Sequence, residues 1–142
     1  MEHQQRSAVI AEAQSWLGTP FHHQACIKGV GVGCGTILNA VYSSVGIPVP
    51  TMEEIGHFPP DWHLHTREER YLTILEKYAR RVDRPQPGDI ALFKLARVYA
   101  HSAIVVEWPH RVIHAWKPLV SFVDATQLPL SGRKPVFLSP WA

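Results

Sequence analysis

The chain has 142 residues, of which 46% are hydrophobic and 18% charged. This composition supports a sizeable core in one domain over residues 1–142 and argues against disorder. The formal net charge of +2 is spread along the chain, so we expect no nucleic-acid partner. No apolar run approaches the length of a membrane span, and the first residues lack the apolar region of a secretory signal.

The first third of the chain predicts two helices separated by a loop. Apolar residues recur at helical spacing over residues 5–17, and Gly18 ends that pattern. Residues 19–33 are rich in glycine and therefore predict a loop. A second apolar stripe runs over residues 35–45, and Gly46 is placed to terminate this helix.

The middle of the chain predicts an irregular segment and a third helix. PVPTMEEIGHFPPDWHLH, residues 48–65, is rich in proline, and its aromatic and histidine residues indicate a packed loop. TREERYLTILEKYARRV, residues 66–82, predicts a helix. Thr66 is its expected N-cap, Glu69 completes a capping box, and two arginines lie in the last turn.

The pattern changes to short strands at about residue 83. After the turn sequence PQPGD, the segments ALFKLA, SAIVVEW, RVIHAW, LVSFVD and PVFLS are apolar or alternating, and WPHR is a tight connection. A helical part at about 1–82 followed by a sheet part at about 83–142 predicts an α+β fold, in which helices pack on a small antiparallel sheet.

One cysteine lies where the glycine-rich loop becomes the second helix. The unpaired amides and dipole of a helix N-terminus lower the pKa of a thiol. Cys34 is therefore the candidate nucleophile, and we expect iodoacetamide to alkylate it faster than Cys26. The alternative is that Cys34 is a small apolar core residue.

Two histidines lie on consecutive predicted strands. His101 lies at the start of a strand in YAHSAIVVEW, and His114 lies in RVIHAW. A tight turn between antiparallel strands would bring the two imidazoles together, one as a general base and the other to orient it. Either histidine could instead be structural, and the residues alone leave the two interpretations about even.

The remaining cysteine allows two further hypotheses. A disulfide could join Cys26 to Cys34, although a single bridge within one loop is unusual for a domain of this size. His22, His23 and Cys26 could bind zinc, but their spacing is not that of a structural zinc site. We therefore predict no metal and no other cofactor.

Several motifs together resemble those of the NlpC-type cell-wall peptidases. WLGTPFHHQACIKGVGVGCGTILNAVY is similar to the N-terminal motif of the branch encoded by tailed phages, roughly WxGTPYxHQxxxxGxGxDCxxLxxxVY. PQPGDIALFK resembles the family's strand after a PGD turn. AHSAIVV and VIHAW resemble its histidine-bearing strands. The resemblance covers nearly the whole chain.

The resemblance implies a papain-like α+β fold and hydrolysis of γ-D-glutamyl bonds in peptidoglycan stem peptides. Carried over by position, Cys34 is the nucleophile, His101 the base and His114 the third, orienting residue.

The chain departs from the family at three substrate-binding positions. The family's aspartate before the cysteine is Gly33 here, its serine after the cysteine is Gly35, and the tyrosine of its GTPY motif is Phe21.

These observations predict a cysteine peptidase or amidase that acts on peptidoglycan stem peptides. The phage branch implies a location in a virion tail, synthesis in the host cytoplasm without a signal peptide, and tail-tip or baseplate proteins as partners. One alternative is a structural tail-tip protein that keeps the fold with little or no activity. Another is a cysteine acyltransferase or amidase that acts on a different substrate.

Overall fold

The computed structural model describes residues 1–56 and 59–141. His57 and Phe58, in the predicted irregular segment, lie outside the described residues. The helices are α1 (Glu2–Gln14), α2 (Cys34–Ser44), α3 (Met52–Ile55) and α4 (Arg70–Leu75), with a 3₁₀ turn at Trp62–Leu64. The strands are β1 (Cys26–Ile27), β2 (Gly31–Val32), β3 (Arg80–Val82), β4 (Ile90–Leu95), β5 (Val98–Glu107), β6 (Arg111–Trp116), β7 (Leu119–Val123) and β8 (Val136–Ser139).

Six of the strands form one sheet in the order β3-β8-β4-β5-β6-β7, and every neighbouring pair is antiparallel. Phe93 pairs with His101 and Lys94 pairs with Tyr99, which leaves Ala100 without a partner residue on β4. This irregularity is a β-bulge directly before His101, and bulges of this kind redirect side chains next to functional sites.

The apolar stripe of α2 packs on one face of the sheet. Ile37 and Val41 are fully buried, as are Ile104 and Ile113 on β5 and β6. Each such side chain contributes roughly 1.5–3 kcal/mol through its removal from water. A second cluster, which contains Phe93, covers the other side of the sheet. Helices on an antiparallel sheet confirm the α+β architecture.

Helix α1 is fixed to the sheet by a buried ion pair. Arg6 donates from Nη1 to Asp89 Oδ1 at 2.9 Å and to the Pro87 carbonyl at 2.9 Å. Its guanidinium also lies 4.2 Å from the ring centroid of Trp141. Within residues 1–56 and 59–141, no helix is both long and apolar enough to cross a membrane.

The long elements agree with the sequence prediction. Helix α2 starts one residue before its predicted range and ends one residue before its predicted end, and Gly46 follows it with φ +82°. Strand β6 has its predicted limits. Helix α1 begins and ends three residues earlier than predicted. The Gly18 amide donates to the carbonyl of Val120 on β7, so the chain has already left the helix there.

The helix predicted over residues 66–82 is wrong for most of its length. Only Arg70–Leu75 is helical, and Arg80–Val82 is strand β3, paired with β8 at the edge of the sheet. The two residues predicted to form the capping box make other hydrogen bonds. The Glu69 carboxylate accepts a hydrogen bond from the Tyr99 amide at 2.8 Å, and the Thr66 hydroxyl accepts one from the Glu68 amide at 3.0 Å. Tertiary hydrogen bonds therefore override the local pattern.

Two segments predicted as loops contain short elements. Residues 19–33 include the hairpin of β1 and β2, in which Cys26 pairs with Val32. Residues 48–65 include α3, which has a capping box formed by Thr51 and Glu54.

Candidate active site

The first residue of α2 is Cys34, so the thiol lies at the mouth of a helix, as predicted. The preceding residue, Gly33, is extended, and its amide donates to Thr36 Oγ1 at 2.8 Å. The Thr36 hydroxyl in turn donates to the Ala25 carbonyl at 2.5 Å. This arrangement holds the glycine loop against the first helical turn, because a polar side chain satisfies an amide that the helix leaves unpaired.

The Cys34 thiol is more protected than the sequence predicts. It donates to the carbonyl of the bulge residue Ala100 at 3.8 Å. Burial raises the pKa of the Cys34 thiol, and hydrogen bonds from the backbone amides of Ser102 and Gly35 only partly oppose this effect. The prediction of a lowered pKa is therefore wrong. Loss of hydration destabilises the thiolate more than the surrounding amides stabilise it.

A buried hydroxyl network holds the Cys34 backbone. The Ser102 hydroxyl donates to the Cys34 carbonyl at 2.9 Å, so the oxygen of Ser102 is free to accept from the Tyr71 hydroxyl, 3.0 Å away. Burial raises the pKa of Tyr71, which keeps its proton available for donation. The network connects α4, β5 and the first turn of α2.

The two predicted histidines are in direct contact. His101 Nε2 lies 2.9 Å from His114 Nδ1, and both residues are buried. The Trp116 ring stands perpendicular to His101 with a centroid distance of 4.7 Å and lies nearly parallel to His114 at 5.8 Å. The Phe93 ring lies 6.3 Å from His101 on another side. The Trp116 ring thus packs against both imidazoles and the Phe93 ring against His101 alone, and these contacts oppose ring rotation.

Both imidazoles are held neutral. Burial lowers the pKa of His114 to about 4. Burial lowers the pKa of His101 well below its ordinary range, and the charge of a protonated His114 and that of Arg133 act in the same direction. A neutral His101 that donates from Nε2 to His114 Nδ1 keeps a lone pair on Nδ1, which is the form a general base requires.

Cys34 and His101 line the same cavity, which has a volume of about 460 Å³. It lies where β4 ends, β5 begins and β6 ends. Among the described residues, no hydrogen bond joins the Cys34 thiol to the His101 ring. Instead, the thiol bonds to Ala100 and the imidazole to His114. The structure thus brings both groups to one cavity without a direct bond between them.

The three predicted substrate-binding positions also line this cavity. Phe21, Gly33 and Gly35 contribute ring and backbone surface but no polar side-chain group. A Cβ atom on Gly35 would lie 3.5 Å from the Tyr71 hydroxyl oxygen, an ordinary contact. A Cβ atom on Gly33 would lie 3.1 Å from the Gln24 amide nitrogen, so this backbone would have to move by a few tenths of an ångström.

The remaining cysteine hypotheses do not account for the site. Cys26 and Cys34 are both free thiols, so the alternative of a disulfide between them is not realised. Cys26 is exposed. In the described part of the chain, no group of three histidine, cysteine or acidic side chains is arranged to hold a metal ion.

Four residues of the site were not predicted: Tyr71, Ser102, Trp116 and Arg133. Ser102 follows His101 directly in a strand, so it faces the opposite side of the sheet, and this alternation is a usable signal. Trp116 follows His114 by two residues in strand β6, so the two side chains share a face, and this spacing is a second usable signal. Tyr71 and Arg133 lie far from the other site residues in the sequence, and no local pattern indicates their roles.

Comparison with known proteins identifies the fold. No protein-family model matches the chain, and no curated protein sequence matches it either. Among solved structures, a lipoprotein-like protein of the NLP/P60 family from Staphylococcus aureus superposes with a TM-score of 0.68 at 18% identity, over 96% of this chain and 42% of that one. The peptidoglycan hydrolase RipB from Mycobacterium tuberculosis gives a TM-score of 0.68 at 15% identity, over 97% and 65%.

A third structure has a different functional description. RipD from M. tuberculosis, described as a non-catalytic NlpC/p60 domain protein adapted to peptidoglycan binding, superposes with a TM-score of 0.66 at 15% identity, over 96% of this chain and 97% of RipD. The chain therefore has the NlpC/P60 fold, as predicted. It spans less than two thirds of the staphylococcal structure and of RipB, and the fold includes both hydrolases and a non-catalytic binder.

Proposed function

We propose that this protein is a cysteine hydrolase that cleaves amide bonds of the γ-D-glutamyl type in peptidoglycan stem peptides. One observation carries the proposal: Cys34 and His101 line the same cavity, and His101 is fixed by a hydrogen bond to His114. Solved proteins of the same fold include peptidoglycan hydrolases, which supports this substrate class.

The reaction begins with transfer of the thiol proton. His101 Nδ1 accepts the proton from Cys34 Sγ while the sulfur attacks the carbonyl carbon of the amide. Because the free thiol and the free imidazole are both neutral, proton transfer accompanies attack and does not precede it. The carbonyl π electrons move to oxygen, and the backbone amides at the start of α2 stabilise this oxyanion.

The second half of the reaction returns the protein to its starting state. The tetrahedral intermediate collapses as His101 gives its proton to the leaving amine, and a thioester on Cys34 remains. Water then attacks the thioester while His101 takes a proton from it. The new tetrahedral intermediate releases the acid product, and the departing Cys34 sulfur takes the proton back from His101. His114 accepts a hydrogen bond from the His101 imidazolium in each step and so acts as its positioning residue.

The proposal includes a place in a phage or prophage tail. The phage-type pattern that surrounds Cys34 supports it, together with the similarity of PQPGDIALFK and VIHAW to that branch. We propose tail-tip or baseplate proteins as partners that bring the site to the cell wall. Copurification with tail particles, detected by mass spectrometry of assembled virions, tests this part.

Digestion of purified peptidoglycan tests the activity. We expect mass analysis to detect new stem-peptide termini with the wild-type protein and none with Cys34→Ala. Cys26→Ala is the matched control, because it removes an exposed thiol that does not line the cavity. Equal digestion by the wild type and Cys34→Ala would overturn the proposed function.

A structural role is the second candidate. The specific observation in its favour is RipD, a non-catalytic protein of the same fold. The missing polar groups at Phe21, Gly33 and Gly35 also favour it. Binding of stem peptides by the wild-type protein without any product would establish this alternative.

A further inference from the structure

The charged side chains that line the site cavity are all cationic. In the described part of the chain, Lys117 and Arg133 line the cavity, and no aspartate or glutamate does. Lys117 is exposed, so its ammonium group is available to a ligand at the rim. A concave site with charge of one sign favours ligands of the opposite charge.

Arg133 is held in place by uncharged groups, so its positive charge has no neutralising partner among the described residues. Its Nε donates to the Pro129 carbonyl at 2.6 Å, and its Nη1 donates to the Lys94 carbonyl at 3.2 Å. The guanidinium also lies 5.8 Å from the centroid of the Trp116 ring. Among residues 1–56 and 59–141, no carboxylate forms an ion pair with it.

The positive charge of Arg133 affects the pKa values of histidines in the cavity. Burial is the main cause of the lowered pKa of His101 and of His63, and the charge of Arg133 lowers both pKa values further. Both histidines line the cavity. Arg133 is therefore within electrostatic reach of the base. A planar guanidinium that is already fixed by carbonyls and an aromatic ring loses little further freedom when it binds a carboxylate.

We infer that Arg133, with Lys117, binds a free carboxylate of the substrate next to the scissile amide. This inference rests on the proposed function and names its specificity. In a γ-linked glutamyl residue, the free α-carboxylate lies only a few bonds from the scissile carbonyl, on the acyl side of the bond. The site thus recognises the acyl part of the substrate by the negative charge of this carboxylate. It does not recognise a substrate ammonium group, because Gly33 and Gly35 offer no side chain to bind one.

Matched peptides test the inference without requiring turnover. Binding of two stem peptides to the Cys34→Ala protein is measured by calorimetry, one with a free γ-glutamyl α-carboxylate and one with the carboxamide at that position. We expect the carboxylate peptide to bind at least about 10-fold more tightly, as for a charged hydrogen-bonded pair. Arg133→Met in the same background should reduce this ratio to near 1, and Arg133→Lys should retain part of it.

Two further variants separate recognition from folding. Lys117→Met removes an exposed cation of the rim and should lower the carboxylate preference a few-fold without lowering the melting temperature. Arg97→Met removes an exposed cation from the turn before β5, outside the cavity lining, and should leave the preference unchanged.

The outcomes distinguish this inference from the proposed function. Equal binding of the two peptides, or no binding of either, overturns the inference. If wild-type protein still digests peptidoglycan in that case, the proposed function is supported and only the inference about the carboxylate is rejected. A clear carboxylate preference without any digestion by the wild type supports the inference and counts against the proposed hydrolysis.

Discussion

The cysteine half and the histidine half of the site are built in different ways. His101 is fixed by side chains, through a 2.9 Å bond to His114 and contacts with aromatic rings. Cys34 is fixed mainly by backbone, through its place at the start of α2 and the Ala100 carbonyl, with one side-chain hydroxyl, that of Ser102, on its own carbonyl. Side-chain substitutions should therefore disturb the base more easily than they disturb the position of the nucleophile.

Among the substitutions that test this difference between the two halves, removal of either reacting group should have the largest effect on activity. Cys34→Ala and His101→Ala should each lower kcat/KM on stem peptides by at least about 10³-fold, because each deletes an atom that forms or transfers a bond. Cys26→Ala is the control with unchanged activity, and circular dichroism verifies that each variant folds. Full activity of His101→Ala would disprove the proposed role of the histidine half.

The pH dependence of stability should reveal the neutral histidine pair. In the unfolded chain an imidazole has an ordinary pKa near 6.5, whereas that of His114 in the folded protein is about 4. The unfolded state therefore binds more protons below pH 6.5, and the free energy of unfolding falls as the pH falls from 6.5 towards 4. His114 alone should account for a loss of about 3 kcal/mol over that range.

Denaturant melts of His114→Gln measure this loss. The variant should show a weaker fall in stability on acidification than the wild type. His3→Gln, an exposed substitution on α1, should behave like the wild type. A wild-type stability that does not change between pH 6.5 and 4 would contradict the burial of two neutral imidazoles.

His114 should matter less to catalysis than the residue it orients. His114→Ala should lower kcat by about 10²-fold, because His101 loses its positioning partner but keeps the lone pair that accepts the proton. The kcat–pH profile should also shift, since the 2.9 Å contact with His101 is lost. A loss as large as that of His101→Ala would require His114 to transfer a proton itself.

Gly33→Asp tests the consequence of having no charged side chain beside Cys34. Two glycines flank Cys34 and offer no partner to a free amino terminus, and an unpaired buried ammonium costs about 3–5 kcal/mol. We therefore expect the wild type to have no requirement for a free terminal amine. Gly33→Asp should raise the ratio of cleavage rates on free and N-acetylated stem peptides by about 10-fold.

Gly33→Asn is the matched control, because it has the same size and no charge. Both variants must displace the Gln24 amide, which would lie 3.1 Å from the new Cβ. A strong wild-type preference for the free amine would show that another group binds it.

The smallest expected effect concerns the two thiols. Burial raises the pKa of both thiols, so their exposure decides the order. Because Cys26 is exposed and Cys34 is half-buried, iodoacetamide should label Cys26 a few-fold faster at neutral pH, the reverse of the order expected from the sequence. Mass spectrometry of partly labelled protein measures the ratio. Faster labelling of Cys34 would support the lowered pKa that the helix N-terminus alone predicts.

The sequence predicts the central parts of this fold and site. The apolar stripe of α2, the strands that carry His101 and His114, and the position of Cys34 at a helix start are local patterns, and the structure contains each of them. These elements bury one continuous face, so their periodicity and their packing agree.

The errors lie where distant contacts decide the outcome. Arg80–Val82 follows a helical pattern but becomes an edge strand because β8 is available to pair with it. The direction of the pKa shift of Cys34 depends on how deeply strand β5 covers the thiol, which no local pattern records. Arg133 enters the cavity from the segment before β8, about a hundred residues after Cys34.

The protected thiol has a consequence for chemical durability. Peroxides oxidise thiolates much faster than thiols, and the first product is a sulfenic acid. A half-buried Cys34 thiol that stays protonated and is hydrogen-bonded to the Ala100 carbonyl should therefore react slowly with such oxidants. The burial that raises the pKa of the resting thiol should thus also slow its oxidation.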